Sequence, residues 1–296
     1  MPRLRLFLAT AFALALLSGH ARAQFIQPFT TTINWQPAPS SELRELEPTE
    51  EPEEEDEIET DRDSFTPATT TAGFRRMIVE SAWSFIDNRT VPDTNSLPEL
   101  VTRYGLNSWL ELRLGWNFEA GGAANSISSG GSNPETPTEN KVERDSQFFY
   151  GLKAALTSQN GWRPQSAVIL QAGTPTFGRD TATALFATYV FGWQLPNRWK
   201  WDSSMRYNYD SSQGDHFNLW APSTVLKIPI GDKWAVHGEY FGVFSQGRAR
   251  DSSQNYFSPG VHYLVTSDLE IGIRVGWGLS QDSANFFSNI GFGWRY

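Results

Sequence analysis

The chain has 296 residues, a formal net charge of −9, 12 tryptophans and no cysteine. The missing thiols exclude a disulfide framework, a thiolate metal site and a cysteine nucleophile. Residues 40–63 alone hold 13 acidic and 2 basic side chains; without them and the three arginines of the first 23 residues, 20 acidic and 19 basic groups remain. That near-neutral remainder has no basic field for nucleic acid.

The first element is a leader. "MPRLR" carries two arginines, Leu6 to Leu17 form an apolar run, and Ala21-x-Ala23 is a small-residue cleavage pattern. These features predict a secretory signal peptide over 1–23, cut between Ala23 and Gln24. Its apolar core falls short of the ~20 residues a membrane-spanning helix needs. A mitochondrial presequence is the weaker alternative. Export without cysteines suits a bacterial envelope protein.

Residues 24–63 follow, rich in Pro and Glu, with "EPTEEPEEEDEIETDRD" as their extreme. Such a segment buries too little apolar surface to offset its ordering entropy. A disordered acidic segment is expected, either a spacer or a tail that attracts cations or a partner.

From residue 64 onward the pattern has period two. In "LEIGIRVGWGL", Leu269, Ile271, Ile273, Val275, Trp277 and Leu279 share one face, against Glu270, Gly272, Arg274, Gly276 and Gly278. About twelve such segments are expected, at 74–86, 97–106, 109–119, 146–157, 166–175, 182–194, 199–210, 216–228, 233–245, 255–266, 268–279 and 285–296. Each approaches the ~9–11 residues of a tilted membrane-crossing strand. Short links (106–108, 195–198, 230–232, 266–268) alternate with longer polar ones (120–145, 210–215, 245–255, 280–284). Short turns at one rim and long loops at the other are typical of outer-membrane barrels.

A soluble β-sandwich would also alternate. Here, however, the polar face carries charges of both signs, and aromatic rings cluster near strand ends. Trp109, Trp116, Trp199, Trp201, Trp234, Trp277, Trp294 and Tyr296 suit the two membrane interfaces. The expected fold is all-β: a transmembrane antiparallel up-and-down β-barrel of about twelve strands over 64–296. Its wet face is the lumen, and closure spares it an unpaired edge in hydrocarbon. The lumen-lining candidates are Glu99, Arg103, Glu111, Arg113, Lys153, Asp202, Arg206, Glu239, Glu270 and Arg274. They can pair across strands and stiffen the wall, or line a path and set ion selectivity. The lumen glycines Gly115, Gly272, Gly276, Gly278, Gly291 and Gly293 either ease curvature or make space. "NIGFGWRY" ends the chain with Ile290, Phe292, Trp294 and Tyr296 on one face. It resembles the signal read by the outer-membrane assembly machinery, with Tyr296 where Phe is usual.

"ETDRDSFTP" (59–67), "LPELVTRYGLNSWLELRLGW" (97–116), "GTPTF" (173–177), "EYFGVF" (239–244) and "GVHYLVTSDLEIGIRVGWGL" (260–279) add a family likeness. Over residues 59–296 the chain resembles the outer-membrane β-barrel family named for the MetA pathway of phenol degradation. Members open with a Thr-Asp-Arg-Pro-Asp-Phe-Thr-like box, in which Asp63 and Ser64 here replace the Pro-Asp pair. The resemblance implies an outer-membrane barrel that passes small solutes, hydrophobic or aromatic ones among them.

Catalysis is not expected. The mature histidines are His216, His237 and His262; His237 and Glu239 share a face without an identifiable serine nucleophile. No metal-ligand spacing, phosphate loop or cofactor motif appears, so neither metal nor cofactor is expected. The predicted protein is a bacterial outer-membrane channel or transporter, with outer-membrane lipid, the assembly machinery and small solutes as partners. The rival is a plugged structural or binding barrel that anchors the acidic tail or displays loops, with an outer-membrane lipid hydrolase third.

Overall fold

The computed structural model describes residues 57–128, 141–178, 181–212, 215–248 and 250–296. The expected signal peptide and residues 24–56 lie outside the described residues, as does most of the far half of the 120–145 connection. Twelve antiparallel strands close into one barrel: β1 (Met77–Asp87), β2 (Thr94–Gly105), β3 (Leu110–Gly121), β4 (Glu143–Thr157), β5 (Gln165–Phe177), β6 (Ala184–Gln194), β7 (Lys200–Ser212), β8 (Asp215–Ile230), β9 (Trp234–Gln246), β10 (Ser253–Thr266), β11 (Leu269–Gly278) and β12 (Phe286–Arg295). Each strand pairs with its sequence neighbours, and β12 returns to β1. This is the up-and-down barrel expected from the alternation.

Closure uses the last residues of the chain. Trp294 faces Val79 and Phe292 faces Ser81 in the β1–β12 ladder. The amide of Tyr296 donates to the Met77 carbonyl at 2.8 Å. The ladder therefore runs to the terminus, and no strand edge is left for hydrocarbon to desolvate.

Local chemistry sets the short turns. In the β2–β3 turn the Asn107 side-chain carbonyl accepts the amides of Trp109 at 2.8 Å and Leu110 at 2.9 Å. This Asx arrangement reverses the chain in few residues. Gly231 holds φ +68° between β8 and β9, a conformation that costs glycine little.

The outward faces carry the aromatics. Trp109, Trp193, Trp199, Trp201, Trp234 and Trp294 lie toward the short-turn rim, and Trp83, Trp116, Trp220 and Trp277 toward the long-loop rim. Between them Leu112, Leu114, Tyr150, Leu152, Ile271, Ile273 and Ile290 stand exposed on the outer wall. Two tryptophan girdles flanking an apolar band is the exterior of a barrel built for a bilayer.

Candidate functional site: the filled lumen

The residues that matter most here precede the first strand. Residues 57–76 do not stay outside the barrel. They enter at the short-turn rim, where the Ile58 amide donates to the Ser267 carbonyl at 2.9 Å. They reach mid-lumen at Phe65 and Thr66 and return to the same rim, where the Arg75 amide donates to the Gly105 carbonyl at 2.9 Å. Composition assigns residues 57–63 to the disordered acidic segment. The structure instead buries Ile58, Thr60, Asp61 and Arg62 inside the wall. The acids that make this stretch look disordered are neutralised by cations on strands far away in sequence. We call residues 57–76 the plug.

Asp61 is its main electrostatic anchor. Its carboxylate accepts Arg113 Nη1 at 2.5 Å and Lys153 Nζ at 3.2 Å, with Arg103 Nε at 3.7 Å. It also accepts the Ala68 amide at 2.9 Å, folding the plug back on itself. Burial alone would raise this carboxyl, but the three cations hold it well below its ordinary value. Arg103 is fully buried and saturated. It donates to Glu111 at 3.0 Å, Glu80 at 3.0 Å, the Glu59 carbonyl at 2.9 Å and the Thr70 carbonyl at 3.2 Å. One side chain thus ties two wall strands to both legs of the plug.

Glu239 cradles the plug's tip. Its oxygens accept the amides of Phe65 at 2.9 Å and Thr66 at 2.7 Å, the Thr66 hydroxyl at 2.8 Å, and Arg274 Nη1 at 3.2 Å. The Phe65 ring stacks on Phe241 with centroids 4.4 Å apart, and the Arg206 guanidinium lies over the Phe65 ring, 4.6 Å from its centroid. Arg62 bonds Glu99 at 3.1 Å. Asp63 pairs with Lys227, and Glu59 with Lys200 at 2.6 Å. Burial works against both carboxylates, yet their lysines hold each at about 2.

The start of the β3–β4 connection enters the lumen from the other side. Asn125, Ser126, Ile127 and Ser128 turn inward and are buried. Asn125 Nδ2 donates to Glu99 at 2.7 Å, Arg274 donates to the Ile127 carbonyl at 2.6 Å, and Arg62 donates to the Ser128 hydroxyl at 2.7 Å. Plug and loop therefore share Arg62 as a link.

The ten lumen candidates all meet this interior. Glu99, Arg103, Glu111, Arg113, Lys153, Arg206, Glu239 and Glu270 touch the plug directly. Arg274 bonds Glu239 and Ile127, and Asp202 sits 3.6 Å from Lys200, the residue that holds Glu59. Arg113 does reach its strand neighbour Glu111, at 2.7 Å. Glu270 and Arg274, equally close in sequence, are separated: Glu270 accepts the Thr60 hydroxyl at 3.0 Å, and Arg274 turns to Glu239. Among the lumen glycines, Gly293 makes room for the plug, since a Cβ there would lie 2.3 Å from the Thr60 methyl.

The ten candidates omitted the plug itself, together with Glu80, Lys200 and Lys227. Nor did they reveal that the lumen is zoned. Toward the long-loop rim Ile86, Ile127, Phe217, Leu219, Phe241, Val243, Tyr256 and Phe287 form one buried apolar cluster with Phe65. The charges are concentrated toward the short-turn rim. His237 meets His262, not a serine: His237 Nδ1 and His262 Nε2 lie 2.5 Å apart, one donating to the other, and their remaining ring nitrogens have no hydrogen-bond partner among the described residues.

The family described as "Putative MetA-pathway of phenol degradation" matches residues 60–296, the plug box and the whole barrel. The chain belongs to this family. In this member the box that opens the family match is the part that fills the lumen. Solved structures share the fold. An outer membrane channel from Pseudomonas putida F1 superposes with TM-score 0.52 at 11% identity, over 75% of this chain and 94% of that one. The NanC porin gives TM-score 0.48 at 10% identity, over 74% and 98%. The translocator domain of the autotransporter NalP from Neisseria meningitidis gives 0.46 at 11%, over 75% and 88%. No curated protein matches the chain in sequence. At 11% identity the likeness to the Pseudomonas putida F1 structure shows a shared β-barrel fold and nothing finer.

Proposed function

We propose that this family member is a bacterial outer-membrane channel for small apolar or aromatic solutes, closed at rest by residues 57–76. The observation that carries the reading is the bond type that holds the plug. Among the described residues the plug meets the wall through ion pairs, hydrogen bonds, ring stacking and apolar packing, and these contacts are non-covalent. Such a seal is reversible, unlike a wall continuous with the barrel. The apolar cluster at the long-loop rim supports an apolar solute, since it offers rings rather than charges to whatever enters there. The family's description, with its phenol pathway, points the same way. In this reading both termini and the short turns are periplasmic, a signal peptide directs export, and the C-terminal strand is read by the assembly machinery. The chain performs no catalysis.

The rival is a permanently plugged barrel, in which the same plug never leaves. A crosslink separates them. The Thr66 and Ser223 hydroxyls lie 2.8 Å apart, and the chain has no cysteine of its own. A Thr66→Cys/Ser223→Cys pair should form a disulfide between plug and β8. In planar bilayers the oxidised variant should stay closed and regain wild-type openings with reductant. Equal conductance in both redox states would favour the permanently plugged barrel.

A further inference from the structure

Beneath the plug, away from the Asp61 cluster, three possible ligand atoms converge. Asp63 comes from the plug, His262 from β10 and Glu270 from β11, and one donor atom of each lies within 4.8 Å of the others. His262 Nδ1 is 3.8 Å from Asp63 Oδ2 and 3.6 Å from Glu270 Oε1. Those separations exceed the ~2.7–3.2 Å of a hydrogen bond. They lie nearer the ~3.4 Å expected between donors held at ~2.0–2.1 Å around a tetrahedral metal, which a few tenths of an ångström of side-chain movement would reach.

The imidazole supplies the second observation. His262 is 3% exposed and its Nδ1 has no hydrogen-bond partner, although it is aimed between two carboxylates. Its Nε2 is engaged with His237 Nδ1 at 2.5 Å. When His262 Nε2 carries the proton and donates to His237, its Nδ1 presents a bare lone pair to Asp63 and Glu270. That arrangement is repulsive until a cation lies between them. A ring whose far nitrogen is fixed by a hydrogen bond is also how metal-ligating histidines are oriented.

We infer that Asp63, His262 and Glu270 bind one divalent first-row transition cation of the zinc class, joining the plug to β10 and β11. One imidazole and two carboxylates suit that class, and a lumen water completes four-coordination. Lys227 also faces the site, through its ion pair with Asp63. The two are compatible, because a carboxylate has lone pairs for both an ammonium and a metal. Thr60 steadies Glu270 by donating its hydroxyl hydrogen bond. The metal-ligand spacing is invisible along the chain, since Asp63 stands 199 positions before His262 and comes from the plug, not from a strand. The consequence for gating rests on the proposed plug: a bound cation fastens Asp63 to the wall and holds the lumen shut.

The test is calorimetric titration of the chelator-treated, detergent-solubilised full chain with Zn²⁺. One Zn²⁺ per chain is expected. His262→Asn and Glu270→Gln should abolish that binding while the barrel keeps its heat-modifiable migration. His237→Ala should weaken it by roughly 10–100-fold, as loss of an orienting partner does. No stoichiometric binding overturns the site, and so does binding that survives His262→Asn, which then resides at the exposed His216 or in the acidic stretch. Conductance is read separately. Site-specific binding that leaves bilayer conductance unchanged upholds the metal site and counts instead against plug gating.

Discussion

Asp61→Asn tests the plug at its strongest anchor. At formal charges, Arg103, Arg113 and Lys153 are balanced by Asp61, Glu80 and Glu111 in one buried cluster. The amide keeps the shape of the side chain and removes one negative charge, leaving a buried cationic excess. Removing one partner of a buried ion pair costs about 3–5 kcal/mol. At ~1.4 kcal/mol per decade, the undocked plug should become roughly 100- to 4,000-fold more populated. The cations sit on β2, β3 and β4, so part of that cost falls on the wall; retention of heat-modifiable migration confirms that the barrel still closes. Single-channel recording in planar bilayers should then show longer and more frequent open events than wild type. Limited proteolysis should cut within residues 57–76 faster. An intact Asp61→Asn barrel with wild-type conductance and a protected plug would refute the claim that this ion cluster keeps the lumen closed.

Phe65→Ala removes the stack on Phe241 and the Arg206 contact, and should cost about 3–5 kcal/mol of plug docking, read as faster cleavage of residues 57–76. Acid should open the lumen. Glu59 and Asp63 are held at about 2, below their ordinary 4.5 and 3.8, so their stabilisation is complete above those values and lost as pH falls toward 2. Conductance should rise across that window, and a flat profile would argue against both pairs. Gly293→Ala forces a Cβ against the Thr60 methyl and should raise conductance while the barrel stays intact. On the outer wall Ile273 is half-exposed at mid-strand. Ile273→Arg should destabilise insertion by ~2–4 kcal/mol, measured by denaturant refolding into lipid vesicles, and an effect near zero would mean that this face does not meet acyl chains.

The strands were legible because their signal is local. Expected segments at 109–119 and 233–245 correspond to Leu110–Gly121 and Trp234–Gln246. A period of two assigns each side chain to a face without knowledge of its partner. The same parity placed Arg103 and Glu239 inward. It could not say that Arg103 would grip both legs of the plug, or that Glu270 would leave Arg274 for Thr60. It also misread residues 57–63. Counted along the chain they look too charged to order, and only in the lumen do Lys153, Lys200 and Lys227 surround them.

The amino-acid order alone determined the barrel: alternation gives every strand one apolar and one polar face, and only a closed sheet lets the apolar face meet lipid without an unpaired edge. What fills that barrel was decided by tertiary structure. Its contacts join Asp61 to Lys153 across 92 positions and Thr66 to Glu239 across 173. No window on the sequence spans such separations, because complementarity between distant charges exists only once closure has brought the strands around a common axis.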